Sequence, residues 1–139
     1  MKVLFLDVDG VLNMHNSGGP KTLNRNRLRL LQKIIVTTGC NVVISSSWRK
    51  SHFYLSLLGR SLKYRNISIH SITRDLSDLN LLRGDEIKDW IDRHLDVEQY
   101  AIIDDTDEML DSQQAYFVQT DPNIGLTNDI ASRIIQILS

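Results

Sequence analysis

The chain has little of what would tie it to a special environment. It carries one cysteine, Cys40, so no internal disulfide staples it. A lone thiol suits a reducing compartment and, as a small hydrophobe, a place in the core. Two prolines and seven glycines leave no material for a low-complexity linker, and no internal repeat is visible. No apolar run approaches the ~18 residues that a membrane span needs. The first apolar stretch is cut short by Asp7 and Asp9 and no small-residue cleavage site follows, so it does not read as a signal peptide. A cytoplasmic protein with no membrane partner is the expectation.

What is present is ordinary in bulk and uneven in arrangement. With 42% apolar and 24% charged residues in 139, the composition is that of a soluble globular protein, and one domain over 1–139 is expected. Net charge is −1, but residues 1–74 hold 12 Lys+Arg against Asp7 and Asp9 alone, whereas residues 75–139 hold 4 against 15 acids. Such asymmetry suits either a polyanionic partner for the basic half or salt bridges between the halves.

Hydrophobic periodicity gives an alternation of strands and helices. Val3–Leu6 reads as a short strand apolar on both faces, as in a buried parallel sheet. A glycine-containing loop follows over 13–21. Thr22 is a candidate N-cap for a helix to about Thr38, with Leu28, Leu31, Ile34 and Ile35 on one face and Gly39 as the stop. Asn41–Ile44 is a second strand, Trp48 to about Lys63 a helix, and 67–72 an alternating, edge-like third strand. Ile87, Trp90, Ile91 and Leu95 recur at helical spacing; Tyr100–Ile103 and Ala115–Val118 are two more strands; Thr127 caps a last helix through Leu138. The pattern predicts an α/β fold, a single doubly wound domain whose mostly parallel five-stranded sheet has helices on both faces.

In such folds ligands sit at the carboxyl ends of the strands. The residues just beyond three strands are Asp7-Val8-Asp9, Ser45-Ser46-Ser47 and Asp104-Asp105. Carboxylates crowded on one rim raise one another's pKa unless a cation neutralises them, and a hard divalent ion with oxygen ligands, Mg²⁺ where phosphate is also bound, does this best. Turn chemistry would explain Asp7 and Asp9 alone, and a capping box Asp105-Thr106-Asp107-Glu108 opening a helix would explain Asp105 alone. Neither explains a pair at each strand end. The serines suit an anion site or simple capping of the helix at Trp48. Arg83, at a loop-to-helix junction, and Lys88, in the helix, are the candidate cations for a phosphate. The set suits phosphoryl transfer through an aspartyl-phosphate, with one carboxylate as nucleophile and a second as acid and base.

The segments "FLDVDGVLN", "VVISSS", "RGDEI" and "AIIDDTDEM" resemble, in order, the four motifs of the haloacid dehalogenase (HAD) superfamily. "SSSWR", "RGDEI" with Trp90, and "TDPNIGLT" resemble more narrowly the small capless HAD domains of nucleic-acid end-repair proteins, akin to polynucleotide phosphatases. The resemblance implies a sheet of order 5-4-1-2-3 and a phosphomonoester hydrolase. It implies Asp7 as nucleophile and Asp9 as general acid/base. Mg²⁺ would be held by Asp7, the Asp9 carbonyl and Asp105, with Asp104 acting through water. Phosphate would be held by Ser45, with Ser46 a close rival, and by Arg83 where the family usually has lysine.

The spacing between motifs leaves no room for a large cap, so a bulky substrate such as a polynucleotide phosphate end or a phosphoprotein is expected. Arg25, Arg27, Arg29, Arg49 and Lys50 are candidates to guide its backbone, and Trp48 and His52 to stack a terminal base. The alternatives are a small-molecule or nucleotide phosphatase of the same family and a non-catalytic binding or regulatory domain on this fold. A receiver-type signalling domain would need its phosphoacceptor at the end of a central strand, where Ser45-Ser46-Ser47 stand.

Overall fold

A computed structural model describes residues 1–13 and 22–139. Beyond Asn13, the glycine-containing loop expected over 13–21 lies outside the described residues. The elements in chain order are β1 (Lys2–Leu6), α1 (Arg25–Thr38), β2 (Asn41–Ile44), α2 (His52–Lys63), β3 (Ile69–Ile72), α3 (Arg83–Asp92), β4 (Gln99–Asp104), β5 (Phe117–Gln119) and α4 (Asn128–Leu138). Short 3₁₀ turns occupy Ser47–Lys50, Ser77–Leu79 and Asp111–Tyr116.

The five strands form one parallel sheet of order β3-β2-β1-β4-β5, which is the expected order read from the other edge. Strand pleating sorts its side chains into two cores. Leu4, Leu6, Val42, Ile44, Ala101 and Ile103 pack with the apolar stripes of α1, α2 and α4. Val3, Phe5, Val43 and Ile102 pack on the other face with Ile87 and Trp90 of α3. Phe5 meets the Trp90 ring edge to face, centroids 5.4 Å apart. Cys40 is buried, as a small hydrophobe would be. From β1 the chain builds outward to β2 and β3, then returns to the other side for β4 and β5. The order therefore reverses between β1 and β4, and that is where a doubly wound sheet opens a crevice.

Several boundaries differ from the sequence pattern for local reasons. Asn24, not Thr22, caps α1: its Oδ1 accepts from the N–H groups of Asn26 and Arg27, while its own N–H donates to Leu12 O at 2.8 Å. The expected helix from Trp48 is interrupted at Ser51, which is extended (φ −107°, ψ 120°) and caps α2 by accepting from Tyr54 N–H. α3 stops at Asp92, leaving Leu95 outside it and exposed. β5 starts at Phe117 because Ala115 and Tyr116 belong to the preceding turn. No helix opens at Asp105–Glu108, so the capping-box reading of Asp105 does not hold.

Candidate active site

The ladder continues one residue past β1. Asp7 N–H donates to Ile103 O and Ser45 N–H to Leu6 O, both at 3.1 Å, and Thr73 N–H donates to Ile44 O at 3.0 Å. Leu6 pairs with Ile44 on one side and Ile103 on the other, so the next residues, Ser45, Asp7 and Asp104, stand abreast at the carboxyl rim. Asp7 and Asp104 straddle the switch point between β1 and β4.

Arg83, the first residue of α3, reaches between them. Its Nη1 lies 2.7 Å from Asp104 Oδ2 and 3.3 Å from Asp7 Oδ1. The α3 start is fixed from three directions. Asp85 accepts from Leu82 N–H at 3.0 Å, Gly84 N–H donates to Glu108 O at 3.1 Å, and Gln113 Nε2 donates to Gly84 O at 2.8 Å. A β-carbon on Gly84 would lie 2.7 Å from Gln113 Oε1 and 2.8 Å from Glu108 O, so only glycine lets the helix sit this close. Lys88 lies elsewhere, in an exposed i,i+4 pair with Asp92 at 2.6 Å.

Asp7, Asp104 and Asp105 can each place one carboxylate oxygen within 4.8 Å of the others. Burial, reinforced by Asp104, pushes the Asp7 carboxyl up to about 8 although Arg83 pulls it down. Burial raises Asp104 as well, against Arg83. Burial also disfavours the Arg83 charge, but the two carboxylates outweigh it and hold its pKa above the usual value. Three oxygen donors short of positive charge fit a hard divalent cation such as Mg²⁺.

Gly10 lets this cluster close. At φ +79° it adopts a conformation that suits glycine, and a β-carbon there would lie 2.4 Å from Asp105 Oδ2. Its N–H donates to Asn13 Oδ1, and its carbonyl accepts from Thr120 Oγ1 at 2.8 Å.

Asp9 points the other way around the mouth. Its Oδ1 accepts from Trp48 Nε1 at 3.1 Å and from Asn13 Nδ2 at 3.0 Å. Trp48 is buried, so base stacking, one of its two expected roles, does not fit, whereas its place in the core does. No sequence pattern pointed to its bond to Asp9, or to Asn13.

Ser45 is fully buried, and its Oγ has no partner among the described residues. Ser46 Oγ accepts from Trp48 N–H at 3.1 Å and so caps the 3₁₀ turn. The cavity at the acidic cluster, about 250 Å³, is lined by Ser47 rather than by either of these. Asp7, Asp9, Asp104, Asp105 and Glu108 set five carboxylates around it against the one guanidinium of Arg83.

Arg49 does not face the mouth, so its expected contact with a nucleic-acid backbone is overturned. Its side chain is buried, donating to the carbonyls of Thr73, Ser45 and Ser46 at 2.9 Å each and pairing with Glu86 Oε1 at 2.9 Å. Burial lowers its pKa and Glu86 raises it. Glu86 in turn accepts from Leu76 N–H. The pair ties the ends of β2 and β3 to the helix that carries Arg83. Lys50 is paired with Asp75 at 3.5 Å.

Residues 3–131 match the family described as the HAD domain in Swiss Army Knife RNA repair proteins. The chain belongs to this HAD family. Membership makes it, at the level of the superfamily, a phosphatase-type hydrolase domain associated with nucleic-acid repair. Neither curated proteins nor solved structures give a match. Among the described residues, no helix of this HAD domain is long and apolar enough to cross a membrane, and no large cap covers its rim.

Proposed function

We propose that this HAD domain is a Mg²⁺-dependent phosphomonoesterase that removes phosphate from polynucleotide ends through an aspartyl-phosphate on Asp7. The observation that carries the reading is Asp7 at the end of the central strand, clustered with Asp104 and Asp105 and bridged to Asp104 by Arg83.

In this reading an Asp7 oxygen attacks phosphorus in line with the ester oxygen, and the P–O ester bond breaks as the new P–O bond to Asp7 forms. Asp9 gives its proton to the departing alkoxide. Asp9 then takes a proton from water, whose oxygen attacks the aspartyl-phosphate and returns Asp7 as a carboxylate with release of inorganic phosphate. Arg83 holds Asp104 in place and offsets charge on the transferring group. Asp7, Asp105 and the Asp9 carbonyl would hold the cation, with Asp104 beside them. Bound there, Mg²⁺ would keep Asp7 ionised and neutralise charge on the phosphoryl oxygens. The Ser45 hydroxyl, next to Asp7 in the ladder and without a partner among the described residues, supports a phosphate ligand at that corner.

The test is phosphate release from 3′- and 5′-phosphorylated RNA and DNA oligonucleotides, mononucleotides and an aryl phosphate. Each is run with Mg²⁺, with chelator and with Asp7→Asn. Mg²⁺-dependent release that Asp7→Asn abolishes is expected, strongest on an oligonucleotide end. No release from any substrate by folded, metal-loaded protein would sink the catalytic reading in favour of a binding domain.

A further inference from the structure

The acidic mouth does not explain the positive charge of the first half of the chain. Arg25, Arg29 and Lys33 recur every four residues on α1 and form one exposed stripe, successive members about 6 Å apart along the axis. Among the described residues none of the three has a carboxylate partner; Arg29 Nη2 donates to Asn26 Oδ1 at 3.2 Å. The first turn of α1 holds no acid, so its cations stand at the positive end of the helix dipole and repel one another along the stripe. Folding gains nothing from that arrangement, whereas an anion bound along it would.

Grooves flank the stripe on both sides. Between α1 and α4 lies a cleft of about 520 Å³, lined by Arg27, Arg29 and Lys33 and closed by Thr127 and Asn128 at the start of α4. The Arg27 Nε there is buried and has no hydrogen-bond partner among the described residues. Between α1 and the end of α2 lies a groove of about 360 Å³, lined by Arg25, Arg60 and Arg65 together with Tyr64, a residue that is 92% exposed. Both grooves sit by the end of α1 that is tied to the active-site loop, through Asn24 N–H to Leu12 O, and Leu126 N–H to Val11 O does the same for the segment leading into α4.

We propose that this face of α1 binds the backbone of a single-stranded polynucleotide, with phosphates on Arg25, Arg29 and Lys33 and one base stacked on Tyr64. Cations in a row beside an exposed aromatic ring are what a sequence-tolerant single-strand site requires. The proposal rests on the reading of the active site only for the claim that the bound strand carries the phosphate to be removed. Arg25 and Arg29 thus keep the role expected of them in holding the strand and Lys33 joins them, while Arg49 is withdrawn from it by burial.

The test is fluorescence anisotropy with a short labelled single-stranded RNA lacking an end phosphate, titrated at several salt concentrations. Wild type is compared with Arg25→Glu/Arg29→Glu/Lys33→Glu and with Tyr64→Ala, none of which touches the active site. The triple variant is expected to bind at least about tenfold more weakly, and to flatten the slope of log K against log salt by about 2, since each neutralised phosphate of a single strand contributes about 0.7. Tyr64→Ala is expected to weaken binding with the slope unchanged. In turnover, KM for an end-phosphorylated oligonucleotide rises in the triple variant while hydrolysis of an aryl phosphate stays as in wild type. An unchanged affinity and slope in the triple variant would overturn the proposal. So would binding of polyglutamate or anionic vesicles with none of RNA. RNA binding with no turnover on any substrate would remove the catalytic reading and leave this one standing.

Discussion

Trp48 donates its indole N–H to Asp9 Oδ1 at 3.1 Å, joining residues 39 apart in sequence at the mouth of the site. Asn13 donates to the same oxygen. These bonds aim the carboxylate proposed as acid and base, so their loss is a positional effect. Trp48→Phe keeps an aromatic ring in the core and removes the donor. It is expected to lower kcat about tenfold with KM little changed, the equivalent of about 1.4 kcal/mol in the transition state. Circular dichroism must show an intact fold, and a kcat equal to wild type would show that Asp9 needs no help from Trp48.

Asp7 makes the apo protein sensitive to pH in an unusual direction. Burial, with Asp104 adding to it, lifts its carboxyl from 3.8 to about 8. Between those values the folded state keeps a proton that the unfolded chain has released, so stability falls as pH rises through that window. In chelator the melting temperature is expected to drop by several degrees between pH 5.5 and pH 8. Mg²⁺ should restore it, and more strongly at pH 8, because the ion binds the ionised carboxylates. Asp7→Asn should flatten the chelator profile and raise the melting temperature at pH 8 while turnover is lost. A flat profile for wild type in chelator would contradict the burial argument.

The sheet was legible because its central strands are apolar on both faces and end in polar residues while its β3 edge alternates, and these patterns survive any detail of packing. Asp7, Asp104 and Asp105 converge because strand ends share a rim whatever the loops do. Arg49 was misread for the opposite reason. A charged residue in a basic segment reads as solvent-facing, and only the folded chain brings Glu86, 37 positions later, into a buried pair with it. The same holds for the 3₁₀ turn. "SSSWRKSHF" continues a helical pattern, but Arg49 is drawn inward onto the Ser45, Ser46 and Thr73 carbonyls, and Ser51 then starts a new helix.

That buried pair supports a stability prediction. Removing one partner leaves the other charged, buried and unpaired, which costs about 3–5 kcal/mol. Arg49→Met is expected to lose about that much in urea unfolding, since three carbonyls lose a donor as well. Glu86→Gln should lose less, because its amide can still accept from Leu76 N–H. With Glu86→Met as the second single variant, Arg49→Met/Glu86→Met should recover part of the loss of Arg49→Met, and a double variant as unstable as the sum of those two singles would show the two side chains acting independently.

Gly10 ties backbone conformation to metal affinity. A methyl group at that position would lie 2.4 Å from Asp105 Oδ2 and 2.8 Å from its Cγ, and the φ of +79° disfavours any side chain. Gly10→Ala must therefore move Asp105 away from Asp7 and Asp104, or change the turn that places Asp9. The strain is expected to cost about 1–3 kcal/mol of folding stability. The larger effect should be on divalent binding, because one of three clustered donors is displaced. Isothermal titration with Mg²⁺ or Mn²⁺ should show affinity reduced about tenfold or more, in line with disturbed support of a metal ligand. A variant that melts lower but binds the ion as wild type does would place Asp105 outside the metal's coordination and leave Asp7 and Asp104 as the carboxylate ligands.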